Sequence, residues 1–180
     1  MHNPKLTGKE RFFKDDEIIV SKTDLKGHIT YANRVFLKIA DYREAEVLGQ
    51  PHSIIRHPSM PRAIFRLLWE TLEKKQEIFA YVINRTKGGD HYWVIAHVTP
   101  SLDSKNRIVG YHSNRRVPER QVLDQTIIPL YKSLWNIEQQ DNRKTGLQQS
   151  YKALTDQLQS KGQEYDEFIA RIINSRGEAA

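Results

Sequence analysis

The stretch IFAYVINRTKGGDHYWVIAHVTPSLDSKNRIVGYHSN, residues 78–114, decides the fold. It predicts three strands, Ile78 to Thr86, His91 to Ser101 and Arg107 to Asn114, in which β-branched and aromatic residues run between turn signals. The connections Lys87-Gly88-Gly89-Asp90 and Asp103-Ser104-Lys105-Asn106 carry the residue types that tight hairpin turns require.

Working upstream, MPRAIFRLLWETLEKK (60–75) reads as a helix with Ile64, Leu67, Leu68 and Leu72 on one stripe and Phe65 and Trp69 beside it. Pro61 sits in its first turn, where a missing N–H is harmless. Nearer the N-terminus, the β-branched run from Glu17 to Lys22, the turn Asp24-Leu25-Lys26-Gly27 and the run from His28 to Tyr31 predict a hairpin over 17–32. Asn33 follows as an N-cap for a helix carrying Val35, Phe36, Ile39 and Ala40, and a shorter helix from Arg43 to Leu48 stops at Gly49. The order β-β-α-α-α-β-β-β predicts an α+β domain: a split antiparallel sheet with short helices between its halves.

Beyond Val117 the grammar changes. Gly and Pro become scarce, and Gln, Lys, Leu and Glu dominate, as in long helices. Leu123, Ile127, Leu130, Leu134 and Ile137 form one series, within which Pro129 should kink or restart the helix. A second series, Leu147, Tyr151, Leu154, Leu158, Lys161, Tyr165, Phe168 and Ile172, keeps heptad spacing across the weak point at Gly162. That stripe suits either packing on its own domain or a helical interface with a partner or a second copy. The organisation is therefore an N-terminal cap over 1–14, a sensor-sized domain over 15–117 and a helical tail over 118–180.

Composition narrows the chemistry. The chain has 180 residues, 38% of them hydrophobic and 28% charged, and contains no cysteine, which excludes disulfides, thiolate metal sites and thiol nucleophiles. No apolar run is long enough to span a membrane, and the N-terminus has no signal-peptide core, so a cytoplasmic location is expected. The net charge of +6 is spread along the chain, its densest cluster being Arg115-Arg116, and reads as solvated surface rather than a nucleic-acid arm. Nucleotide-binding loops, zincin motifs and nucleophile elbows are all missing, so an enzyme is not expected. His91 and His97 share a strand face but lie roughly 20 Å apart, too far for one metal ion.

Two features stand out. The connection Gly49-Gln50-Pro51-His52-Ser53-Ile54-Ile55-Arg56-His57-Pro58-Ser59-Met60-Pro61 is stiffened by three prolines and delivers Arg56 and His57 just before a helix N-terminus. On sequence physics alone it can equally be an irregular linker. Asn84 shares a strand face with Ala80 and Val82, where a buried amide needs a partner; a planar heterocycle could supply one, and so could water at the strand end.

Together, TDLKGHITYAN, GQPHSIIRHPSMP, the Phe65/Trp69 helix and INRTKGGDHYWVIAHVTP resemble the PAS sensor domain of bacterial aerotaxis receptors, over residues 15–117 and on into Pro129-Leu130-Tyr131-Lys132-Ser133-Leu134. The resemblance implies a PAS fold: a five-stranded antiparallel sheet with short helices on one face. It also implies non-covalent FAD binding and redox signalling to the chemotaxis machinery. By position, Asn33 and Asn84 match the family's pocket asparagines, Arg56 and His57 its flavin-pocket pair, and Phe65 and Trp69 its wall aromatics. Ser59 stands in the same motif where the family commonly has Asp, and Phe79 where it commonly has Trp. Without a thiol, the cysteinyl–flavin photocycle of light-sensing relatives is excluded. Membrane-bound receptors of this type continue into an anchor and a signalling domain; this sequence, with neither, is expected to signal through its tail to another chain or as a homodimer. A cofactor-free PAS interaction module and a haem-binding PAS sensor are the alternatives.

Overall fold

A computed structural model describes residues 5–174; the outer ends of the expected cap and tail, 1–4 and 175–180, lie outside the described residues. The chain divides into two compact units, one of residues 1–58 and 72–117, the other of residues 59–71 and 118–180.

The first unit is built on a five-stranded antiparallel sheet of order β2-β1-β5-β4-β3. Its strands are β1 (Ile19–Thr23), β2 (Ile29–Ala32), β3 (Ile78–Arg85), β4 (His91–Leu102) and β5 (Ile108–Arg116). The meander expected from residues 78–114 forms as β3-β4-β5, with Ala80 opposite Ala96 and Ala96 opposite Arg115. The early hairpin closes the sheet from the other side, because β1 pairs with β5 through Ile19↔Arg115 and Ser21↔Ser113. This is the split sheet that the element order predicts.

Between the halves lie α1 (Arg34–Ala40), α2 (Glu44–Val47) and a 3₁₀ turn over His52–Ile55. The Asn33 side chain accepts from Phe36 N–H and starts α1, as its residue type requires. The N-terminal arm docks on the β3–β4 turn. Thr7 Oγ1 donates to Asp90 at 2.6 Å, Arg11 Nε donates to the same carboxylate at 2.7 Å, and the His91 N–H donates to the Lys9 carbonyl. Gly89 is needed there, at φ +94°, because a side chain would strike the Lys5 carbonyl.

The second unit joins all but the last two residues of α3 (Arg62–Glu73) to the tail helices, a grouping that no local pattern announces. These are α4 (Arg120–Val122), α5 (Ile128–Gln139), α6 (Arg143–Ser160) and α7 (Tyr165–Asn174). Between α4 and α5 the backbone widens into a π turn over Leu123–Ile127, and Pro129 sits in the first turn of α5, which is the restart expected there. Among the described residues no helix is long and apolar enough to cross a membrane.

The continuous heptad series is a correction. It is broken after Ser160, where Gly162 takes φ +61°, and α7 begins as a separate helix. The buried face of α6 is Gly146, Ser150, Leu154 and Leu158, a four-residue spacing turned toward its own chain. Gly146 brings α6 against the end of α5 so closely that a Cβ would lie 2.6 Å from the Glu138 carbonyl oxygen.

Candidate functional site

One face of the sheet is apolar along most of its length but carries a set of buried polar groups. Strand alternation puts Asn84, Tyr92, Ser113, Arg115 and Ser21 on the same side as Ala80, Val94 and Ala96. Asn84 is 4% exposed and Tyr92 is fully buried, and the two stand opposite each other on β3 and β4. Among the described residues four atoms of this face find no hydrogen-bond partner: Asn84 Nδ2, Tyr92 Oη, Ser113 Oγ and Arg115 Nη1. An unmet buried polar group costs about 1–3 kcal/mol, so a cluster of four marks a surface shaped to receive something polar.

Arg115 is the most costly of the four groups to bury. It is 5% exposed, and no carboxylate pairs with it among the described residues. Its Nη2 donates to Ser21 Oγ at 2.9 Å and to His52 Nε2 at 2.8 Å. Accepting from a guanidinium requires Nε2 of His52 to be unprotonated. Burial and the Arg115 charge push the His52 pKa down to about 3, so the ring is neutral at any ordinary pH. Phe36 from α1 packs edge-on against His52, 6.1 Å between ring centres, and lies 5.9 Å from the guanidinium carbon. Burial lowers the Arg115 pKa to about 10, which leaves the guanidinium charged at neutral pH. Sequence reading assigned Arg115-Arg116 to the solvated surface; alternation from Ser113 on a two-sided strand was the signal that separates the buried Arg115 from the exposed Arg116.

The expected site residues fall in three places. Arg56 and Asn84 come together, since their backbones form an antiparallel bridge on the free edge of β3, which puts the Arg56 side chain on the Asn84 side. The proline-rich connection is thus a 3₁₀ turn over His52–Ile55 tied to the sheet by single bridges at Pro51 and Arg56. His57 goes to the opposite side, where its ring packs edge-on to His91 at 5.8 Å. There burial, with His91 and Arg85 nearby, pushes its pKa down to about 4. Asn33 is engaged by the backbone: Oδ1 accepts from Val20 and Phe36 N–H, and Nδ2 donates to the Ile18 carbonyl. That bonding makes it the pin between β1 and α1 and leaves no free acceptor for a ligand.

Ser59, Phe65 and Trp69 belong to the second unit, Ser59 exposed in the turn before α3 and Trp69 39% exposed on it. In that unit Glu138 of α5 holds the start of α3. Its carboxylate accepts from Ala63 N–H and from Arg62 Nε, both at 2.9 Å, while Arg62 Nη1 reaches the Arg143 carbonyl. Further along, the Tyr151 hydroxyl donates to Glu70, and Arg66 lies over the Tyr151 ring at 4.0 Å.

Among the described residues no group of three His, Asp or Glu could hold a metal ion. A separate cavity of about 280 Å³ lies between the N-terminal arm and α1, lined by Lys9, Arg11, Phe13, Val35 and Lys38 among others; its charges are mixed and it does not include the orphaned sheet face. At the Asn84–Tyr92 end the orphans are an amide donor and a hydroxyl able to donate or accept, which fit the edge of a planar heterocycle carrying carbonyl oxygens and ring nitrogens, the edge a flavin presents; Ser113 and Arg115 lie farther along the face.

Comparison with known proteins identifies the fold. The family profile described as the PAS fold matches residues 29–115. The aerotaxis receptor of Escherichia coli strain K12 is 40% identical over 133 residues, 73% of this chain and 26% of the receptor. A nitrogen fixation regulatory protein of Klebsiella pneumoniae is 30% identical over 99 residues, 55% of this chain and 20% of that protein. The chain thus spans about a quarter or less of the length of these relatives. In fold it is similar to the light-oxygen-voltage domain of the blue-light photoreceptor Aureochrome1, with a TM-score of 0.55 at 23% identity over 62% of this chain and 89% of that one.

Proposed function

Residues 29–115 are a PAS fold domain, a sensor domain similar to that of aerotaxis receptors, and from that premise we propose that this chain binds FAD on the orphaned sheet face and reports its redox state through the tail. The observation that carries the proposal is the cluster of unmet buried polar atoms on an otherwise apolar face. Asn84 and Arg56 meet one end of the ring system; Arg115 and Ser113 lie farther along it. The cofactor supplies reversible electron uptake, and the protein supplies binding, orientation and electrostatics. His57, on the far side of the sheet edge, supports the connection rather than the ring. Asn33 contributes by fixing α1. Phe65 and Trp69 keep the wall role that the resemblance gives them, and Ser59 is the departure within the same motif.

The output route starts on α3. The helix that bears Phe65 and Trp69 is the one gripped by Glu138, so a displacement felt by those two side chains is felt by α5 and α6. A hydrogen-bond change on reduction can bias such a two-state element only through differential contacts. A signalling partner, or a second copy of the chain, reads the tail.

The absorption spectrum of the freshly purified protein tests this reading. Flavin bands that bleach on reduction are expected. A colourless protein that releases no flavin on denaturation overturns it, and a Soret band selects haem instead.

A further inference from the structure

We propose that the N-terminal arm and α1 form a docking surface for a second copy of this chain, in which Phe12 of each copy fills the cavity between arm and α1 of the other. This goes beyond the flavin reading and does not depend on it.

The arm is anchored on both sides of Phe12. Upstream, Arg11 donates from Nε to Asp90, and its backbone N–H donates to the His91 carbonyl at 2.7 Å. Downstream, the Glu17 N–H donates to the Lys14 carbonyl and the Lys14 N–H donates to the Glu17 carboxylate. Between these anchors exposure alternates as extended backbone requires: Arg11 and Phe13 are half-buried, and Phe12 is 72% exposed. Among the described residues no large apolar side chain is more exposed. Because the anchors already hold the ring out in water, burying it against a partner costs little ordering entropy.

A lone exposed ring needs no explanation, but this one is among the residues lining the cavity of about 280 Å³, with Phe13, Val35 and Ile39. A cavity of about 150 Å³ already takes a benzene-sized group, so this one has room for a phenyl ring. Knob and hole therefore share one surface. A closed twofold interface needs that arrangement, since the same patch must serve on both copies and each contact is made twice. The charges around the cavity select the occupant. Lys9 and Lys38 line it together with Glu10 and Glu17. A nucleic acid or an anionic lipid surface would meet those carboxylates along with the cations. A second copy can set lysine against glutamate on both sides of the axis. The tail offers no equivalent ring, because the buried stripe of α6 is turned toward its own chain.

The test follows the mass of the full chain by sedimentation over increasing concentration. A small interface of this kind should give a monomer–dimer equilibrium with a Kd of about 10–100 μM. Phe12→Ala should weaken it about a hundredfold, since the twofold axis makes both cavities lose their occupant. The ring is exposed in the single chain, so this variant should keep the wild-type urea midpoint. The chain has no cysteine, so introduced thiols read the contact directly. Phe12→Cys protein mixed with Val35→Cys protein should cross-link through a short bismaleimide, one partner carrying a tag so that the mixed product is told apart by size. Phe12→Cys mixed with tagged Val109→Cys should not, because Val109 lies by the end of β4 away from the arm. A wild-type chain that stays monomeric well above that concentration range overturns the proposal. So does a dimer that Phe12→Ala leaves intact, or equal cross-linking of the two mixtures. None of these outcomes touches the flavin reading, which the colour of the protein decides.

Discussion

Two arginines show how differently the two units treat a buried charge. Arg62, at the start of α3, faces Glu138, a carboxylate whose side chain is 2% exposed; Glu138 in turn accepts from the Ala63 N–H, and Arg62 also reaches a backbone carbonyl. Arg115, on β5, is held by two neutral groups and keeps one nitrogen unmet. The first arrangement closes its own electrostatics and fixes one helix against another. The second leaves a positive site on a polar-studded, otherwise apolar face. Complete pairing marks a structural joint, and incomplete pairing marks a place where something else binds.

The largest expected effect breaks the closed pair. Glu138→Ala leaves Arg62 and the Ala63 N–H without their carboxylate, and should cost about 3 kcal/mol, since loss of one member of a buried pair strands the other. Urea denaturation monitored by tail-helix circular dichroism measures it. A loss below about 1 kcal/mol would mean that Glu138 is not the grip on α3.

The open pair carries a pH signature. His52 is neutral in the folded chain, with its pKa near 3, and has an ordinary value near 6.5 when unfolded, so between these limits the unfolded chain binds more protons. Stability from this ring is therefore complete above about pH 6.5 and is lost as pH falls toward 3. At pH 5 the loss should be about 1–2 kcal/mol relative to pH 7.5. His52→Gln keeps an acceptor for Arg115 but cannot titrate, so the difference between its pH profile and the wild type's isolates this contribution. His57 shifts in the same direction and remains in both proteins. Parallel profiles would remove His52 from the account.

Gly146→Ala tests the joint from the backbone side. Alanine improves helix propensity by about 1 kcal/mol, yet its Cβ would lie 2.6 Å from the Glu138 carbonyl oxygen, and overpacking against backbone costs about 1–3 kcal/mol. A net loss of about 1 kcal/mol in the same urea assay is expected. A gain would show that α5 and α6 separate freely.

The sequence made the strands and turns legible because alternation and turn chemistry are local: residues 78–114 and 17–32 each contain their own pairing instructions. Asn84 was legible for the same reason, as a polar residue on an apolar face. Arg115 was not, because an Arg-Arg pair looks like solvated charge until the register shows which of the two turns inward. Arg56 and His57 were paired by the family resemblance; the side chains of neighbours on an extended segment point to opposite sides, so the register separates the two. The grouping of α3 with the tail depends on Glu138 meeting Ala63 across 75 positions, a pairing that no window of sequence contains. Likewise the heptad spacing of the tail persisted through Gly162, while the backbone did not.

The smallest effect on stability is also the sharpest on binding. Asn84→Ala removes an amide whose Nδ2 has no partner and which is 4% exposed. In the ligand-free protein the lost group was a burden, so the change should be near neutral, within about 1 kcal/mol and in the stabilising direction if anything, because deleting an unmet polar group offsets the small cavity it leaves. With FAD present the sign reverses. The amide would then be donating to the ring, and its loss should weaken retention about tenfold, or about 1.4 kcal/mol. Fluorescence of flavin released during gel filtration, compared with the urea midpoint of the stripped protein, reads both quantities from one preparation. A variant that loses stability in the stripped form and retains FAD as well as the wild type would put Asn84 with Arg62, among the groups that hold the fold.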